Sequence, residues 1–297
     1  MAILITGASG LIGSHLCKKL VETGADVVAL IHKTENPILA STPQGNIEIT
    51  ACDIRDYDHL NFVFNYYQFD TVFHLAAHLP STANPDFIKV NVIGTSNLMD
   101  ACYRKGVKNF IYASSMSVYS TPPINLPVNE MYPTRPGDVY GKTKLVGELL
   151  CECYSQVMRI IIVRFSSVFG PGDNSRVAYR FMQSALSGQA IQVDGNGSQS
   201  SDFIYVDDAV KGAILALEKG KSGEVYNIGS GQETSVLKLA NLIAGLGSPP
   251  VEVKSSGKLA TRPFRFVADI EKARSELGYI PSDLADGLRK YREEMKC

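Results

Sequence analysis

Three glycines spaced three apart, Gly7, Gly10 and Gly13, separate a short apolar run from an amphipathic segment at the start of this chain. Ile3, Leu4 and Ile5 have strand character, and from Leu11 onward apolar residues recur at helical spacing. A strand that enters a helix through such a loop must turn tightly. The loop then gathers backbone N–H groups at the helix N-terminus, where they can hold an anion such as a pyrophosphate. Parallel α/β sheets that bind dinucleotides begin this way, although here the spacing is G-x-x-G-x-x-G rather than G-x-G-x-x-G. A glycine-rich turn without a ligand is the alternative, and the strand–loop–helix order argues against it. Gly7, Ser9, Gly10, Leu11, Ile12 and Gly13 are therefore expected to line a cofactor.

The first half continues in the same rhythm. Apolar runs at 3–6, 27–31, 47–52, 71–74, 110–113 and 160–164 lack polar alternation, as strands do when helices cover both faces of a parallel sheet. Helical patterns lie between them at 11–23, 56–67, 86–105 and 140–156. Strict alternation predicts a doubly wound α/β fold. Residues 1–169 read as a dinucleotide-binding domain and 170–297 as a smaller substrate region, with strands near 203–206 and 225–228 expected to rejoin the main body, so that 203–229 returns to the first domain.

The net charge is −1, from 29 basic and 30 acidic residues, so no bulk attraction to nucleic acid or an anionic membrane is expected. No run approaches the roughly 20 apolar residues of a membrane span, and no secretory core follows Met1. The six cysteines are scattered, without zinc spacing, and no H-E-x-x-H pattern is present. A cytoplasmic protein with reduced thiols and no metal site is expected.

Tyr140 and Lys144 are four residues apart, which on a helix puts a phenol and an ammonium on one face. A phenol that acts as a base near pH 7 needs a shift of about three pKa units, roughly 4 kcal/mol. Lys144 and an oxidised nicotinamide supply charge of the right sign. Ser115 follows the fifth strand, at the carboxyl edge where ligands bind, and its hydroxyl can hold the reacting oxygen against Tyr140. Serines at strand ends are often only turn residues, and Y-x-x-x-K alone is common. Together and in this order the three are specific.

At the end of the second strand an NAD site usually carries Asp or Glu for the ribose hydroxyls. This chain has Ile31, His32 and Lys33. Isoleucine cannot accept those hydrogen bonds, and Lys33 could neutralise a 2′-phosphate, which favours NADP over NAD. Asp53, with Ile54 beside it, is placed for the adenine amino group, or else caps the following helix.

These segments resemble the extended short-chain dehydrogenase/reductase family, in its nucleotide-sugar epimerase, dehydratase and ketoreductase group. The likeness extends through His74-Leu75-Ala76-Ala77, Asn91–Thr95, the serine segment from Ser114, the Arg164–Pro171 stretch, Asp202–Asp208 and Tyr226–Gly229. It implies a Rossmann-type doubly wound parallel sheet for NAD or NADP, a smaller C-terminal α/β region for a nucleoside-diphosphate sugar, and hydride transfer at C4. It implies catalytic roles for Ser115, Tyr140 and Lys144, and cofactor contacts at Leu75, Ala76 and Ala77. Asn91 matches a helix asparagine of structural role.

Met116 and Ser117 stand where dehydratases of the group carry Asp and Glu, so 4,6-dehydration is disfavoured. Ser167 and Ser201 stand where asparagine and arginine are common. Ser117 and Ser167 are expected on the substrate side with Gln192, and the diphosphate clamp is sought among Arg176, Arg180, Arg262 and Arg265. Each arginine could equally be a surface charge.

The reading that follows is a 4-epimerase acting through a 4-keto intermediate. The alternative is an NADPH-dependent 4-ketoreductase of a nucleoside-diphosphate 4-keto-6-deoxysugar. A dinucleotide-sensing regulator would be expected to break the tyrosine–lysine pair, which is intact. A homodimer is implied through the helices 86–105 and 140–156, by Val90, Leu98, Val146, Leu149, Leu150 and Cys153.

Overall fold

In a computed structural model the described residues are 2–33, 36–42, 46–79, 86–119, 123–257 and 264–295. The apolar runs form β1 (Ala2–Thr6), β2 (Val27–Ile31), β3 (Ile47–Ala51), β4 (Phe69–His74), β5 (Asn109–Ser115) and β6 (Arg159–Phe165). Interleaved helices are α1 (Leu11–Glu22), the short α2 (Pro37–Ala40), α3 (Tyr57–Tyr66), α4 (Thr95–Arg104) and α5 (Val139–Cys153). A π-helical turn, Lys89–Gly94, leads into α4, so the pattern read from residue 86 is one helix of two windings.

Asp56 caps α3 by accepting from the His59 amide at 3.0 Å, and Asp138 caps α5 by accepting from Gly141 at 2.7 Å. Such caps satisfy amide groups that have no partner inside the helix. Helix α1 differs: Gly10 stands at its cap position with no side-chain acceptor.

Beyond β6 come β7 (Ser167–Phe169), α6 (Val177–Leu186), β8 (Ile191–Val193), β9 (Ser200–Tyr205) and α7 (Val206–Lys219). They are followed by β10 (Val225–Ile228), β11 (Glu233–Ser235), α8 (Val236–Ala244), β12 (Val253–Ser255) and α9 (Leu284–Glu294).

The main sheet has seven parallel strands in the order β10-β6-β5-β4-β1-β2-β3. Its inner strands are largely buried on both faces, whereas the edge strand β3 is mostly exposed. Ile5 faces a core with Leu16 of α1 and Val210 of α7, while Leu4 faces Leu60 of α3, Met99 of α4 and Cys151 of α5. The order reverses between β1 and β4, and the crevice above their carboxyl ends is where a doubly wound sheet takes its ligand.

Strand β10 joins the main sheet beside β6, whereas the strand expected at 203–206 belongs elsewhere. As β9 it pairs with β7 and β11 in a separate three-stranded sheet. Buried Asp202 ties the two sheets together, accepting from Ser230 N at 2.6 Å, Gly231 N at 3.0 Å and Ala268 N at 3.2 Å.

Candidate active site

The glycine turn shows why these positions hold no side chain. Gly7 has φ +68°, and a Cβ there would lie 2.6 Å from the Ala76 amide nitrogen. A Cβ on Gly13 would lie 2.3 Å from the Gly7 carbonyl oxygen, so the third glycine lets α1 start directly against the first. Gly10 is less confined, with its nearest neighbour at 3.2 Å. The uncapped first turn of α1 thus opens onto a cavity of about 670 Å³ along the carboxyl edge of the sheet.

That cavity is lined by Gly7, Ser9, Gly10, Leu11, Ile12, Gly13, His32, Asp53, Ile54, Leu75, Ala76 and Ala77 at one end, and by Ser115, Ser117, Tyr140, Lys144, Ser167 and Arg176 at the other. An uncapped helix N-terminus, glycines that admit close backbone approach and a long crevice fit a nicotinamide dinucleotide.

At the adenosine end the structure adds a partner that the sequence did not announce. Arg55 forks Asp53 at 2.6–3.0 Å and reaches Asp86 at 3.3 Å, and His32 Nε2 lies 3.2 Å from Asp53. The Arg55 hydrogen bond holds the Asp53 carboxyl below the usual range. Lys33 is exposed and is not among the residues that line the cavity.

At the other end β5 delivers Ser115 and the first turn of α5 delivers Tyr140. Ser115 Oγ accepts from the Ser117 amide at 3.1 Å and donates to the Ser117 hydroxyl at 3.1 Å, and it lies close enough to the Tyr140 phenol to act on its pKa. Burial raises the phenol's pKa, Arg176 and Ser115 lower it, and Asp138 raises it. Arg176 is the cation that acts on the phenol through space. The Lys144 ammonium is 2% exposed and lies 4.4 Å from the centroid of the Tyr112 ring, and burial lowers its pKa to about 8. Asn91 holds the backbone of His78 (2.6 Å from its amide, 3.2 Å from its carbonyl) and donates to Thr143 at 3.0 Å, a structural role. His74 is packed between Thr6 and Thr95 at 2.7 and 2.8 Å.

Ser115, Ser117 and Ser167 also line a second cavity of about 240 Å³, with Ser201, Asp138, Phe264 and Phe266. Ser167 and Ser201, the two departures from the common pattern, meet at 2.7 Å between their hydroxyls. Among the candidate arginines Arg176 lines the main cavity, its Nη1 donating to the Val168 carbonyl at 2.7 Å. Arg180 and Gln192 are exposed and do not line either cavity. Arg265 is held away by a double hydrogen bond to Glu233, both contacts at 2.7 Å. Arg262 lies outside the described residues. Asp138 and Arg55 are the residues that sequence reasoning missed. The first carried a signal, a carboxylate two positions before Tyr140 where a helix cap is expected. Arg55 carried none.

A sequence profile of the NAD dependent epimerase/dehydratase family matches residues 3–229. UDP-glucose 4-epimerase of Mycolicibacterium smegmatis is 32% identical, over 98% of this chain and 97% of its own length. Among solved structures, UDP-glucose 4-epimerase of Thermotoga maritima with UDP-glucose superposes with a TM-score of 0.91 at 29% identity, covering 100% of this chain and 99% of the other. UDP-glucuronic acid 4-epimerase of Bacillus cereus, in complex with UDP-glucuronic acid and NAD, superposes at 0.87 with 30% identity and the same coverage.

Proposed function

Because the chain belongs to the NAD-dependent epimerase/dehydratase family, within the extended short-chain dehydrogenase/reductases, we propose that it inverts C4 of a nucleoside-diphosphate sugar. The observation that carries this reading is that Ser115, Tyr140, Lys144 and Arg176 line the cavity that the glycine turn opens. When bound, oxidised NAD supplies a hydride acceptor and a positive ring beside the phenol.

Tyr140 takes the proton of the C4 hydroxyl and later returns it, as general base and then general acid. Ser115 donates to the same sugar oxygen and fixes its distance from the phenol. Arg176 stabilises the phenolate through space, and the buried Lys144 ammonium faces the cofactor side. The 4-keto sugar turns over within the serine-lined cavity before reduction from its other face. Residues 1–169, joined in the main sheet by β10, serve chiefly the cofactor, and the remainder of 170–297 the sugar nucleotide.

For the cofactor we assign NAD rather than NADP. Lys33, the residue expected to neutralise a 2′-phosphate, stands outside the cavity lining. The Bacillus cereus relative, solved with NAD, supports the same choice. A UDP sugar is the nucleotide we favour, since both structural relatives carry one.

We also assign a homodimer through α4 and α5. Val146, Leu149 and Cys153 are exposed on α5, with Ile93 exposed just before α4. Leu98, expected on that face, is wholly buried in the monomer core instead, because it packs beneath the sheet with Met99 and Phe64.

The test is incubation of purified protein with UDP-, dTDP-, GDP- and CDP-sugars without added cofactor. Interchange of C4 isomers is the expected result. No interchange with any sugar, or net reduction of a 4-keto sugar that consumes added NADPH, overturns the reading.

A further inference from the structure

Glu148 and Arg164 form a buried ion pair that the chemistry above does not use. Their side chains are 4% and 6% exposed. Arg164 Nε donates to Glu148 Oε1 at 2.9 Å and Nη2 to Oε2 at 2.6 Å. Glu148 Oε1 also accepts the hydroxyl of Ser114, and Arg164 Nη1 donates to Tyr119 Oη at 2.8 Å and to the Glu130 carbonyl at 3.3 Å. Tyr119 in turn donates to Asn227 Oδ1 at 2.8 Å.

Stability does not account for this arrangement. Replacing a buried ion pair with well-packed apolar side chains is often neutral or stabilising, so a purely structural site has no need of one. What distinguishes this pair is what it ties together. Glu148 is on α5, one turn beyond Lys144 and two beyond Tyr140. Ser114 directly precedes Ser115 on β5, and Arg164 sits opposite Ser114 in the β5–β6 register. Tyr119 ends the 3₁₀ turn that carries Ser117. Each element that brings a reacting group to the cavity is hydrogen-bonded to one carboxylate or one guanidinium.

We propose that Glu148 and Arg164 are positioning residues, which hold the first turn of α5 in register with the end of β5 and so set the Tyr140–Ser115 geometry. The inference rests on the proposed epimerase reaction. Misplacement of reacting groups by about 1 Å costs on the order of 100-fold in rate. A fork-to-carboxylate contact resists that drift better than apolar packing, because it fixes two atoms in a plane.

The test is the paired substitution Glu148→Met with Arg164→Met, in the full chain, with the parent assayed alongside. We expect a melting temperature near the parent's, unchanged bound cofactor and unchanged KM for the sugar, but kcat lower by about 100-fold. If the pair fails to fold, Ser114→Ala, which removes one hydroxyl, is read in its place, with an expected fall in kcat of several-fold at constant KM. A folded double variant with parental kcat, or Ser114→Ala with parental kcat, overturns the positioning role. A kcat loss accompanied by an equal rise in KM or by cofactor loss also overturns it, since that marks general damage to the site. A parent inert on the whole sugar panel removes the proposed reaction, and the positioning role with it. An active parent beside an unimpaired variant removes the positioning role alone.

Discussion

The Ser115 hydroxyl lowers the pKa of the buried Tyr140 phenol, which couples the last residue of β5 to the first turn of α5 across one wall of the cavity. In the proposed reaction both groups meet one sugar oxygen, and the proton passes from it to Tyr140. Burial alone raises the phenol's pKa, so it needs help to ionise, and Ser115 and Arg176 both act in that direction. Removing the phenolic oxygen should therefore abolish turnover without touching the fold. Tyr140→Phe is expected to lower kcat by 10³-fold or more, at the upper end of general acid–base effects, with parental melting temperature and cofactor content. Steady-state assays beside thermal denaturation check it.

Lys144 has a pKa of about 8 in the folded chain against an ordinary 10.5, first because it is buried. The ammonium is therefore present below about pH 8 and lost above it. Affinity of the cofactor-free protein for NAD should be greatest below that value and fall as pH rises through it. In Lys144→Met the affinity should be lower and nearly flat across the same range, as isothermal titration at several pH values would show. Stability moves the other way. Between about 8 and 10.5 the unfolded chain holds a proton that the folded chain has released, so folding gains as pH rises.

Buried His74 has its pKa held down to about 3 from 6.5, by burial and then by the charge of Lys144. Between pH 6.5 and 3 the unfolded state takes up a proton that the folded state refuses. Stability must fall as pH is lowered through that window, by up to about 1.4 kcal/mol per unit from this group. His74→Asn should flatten that part of the curve, measured by urea unfolding at pH 7, 5.5 and 4.5.

The glycines of the first turn are not equivalent. A Cβ at Gly13 meets the Gly7 carbonyl at 2.3 Å, while one at Gly10 meets it at 3.2 Å. Gly13→Ala should lower the melting temperature markedly, since backbone atoms must shift. Gly10→Ala should melt close to the parent. Differential scanning calorimetry without cofactor separates the two.

The exposed apolar face of α5 gives a last prediction. Leu149 is 52% exposed and Val146 38%. If they meet a second copy, Leu149→Glu buries a charge at that interface and should yield monomers in analytical ultracentrifugation, with the monomer fold intact by circular dichroism. A parent that sediments as a monomer removes the assigned dimer.

Local order was legible in the amino-acid sequence by itself. Unbroken apolar runs marked the strands and a 3.6-residue period the helices, because both are properties of short stretches. The same locality placed Gly7, Gly10 and Gly13 at a strand-to-helix turn, and Tyr140 and Lys144 on one helix face. Where a feature depends on what lies across the sheet, the sequence was silent. Strand register decided that Arg164 faces Ser114 and Glu148, and strand order sent β9 to the small sheet and β10 to the main one. Arg55 took Asp53 and Glu233 took Arg265, leaving Arg176 as the described candidate arginine that lines the cavity. A charged side chain chooses its partner by distance in three dimensions, and that distance exists only once the chain has folded.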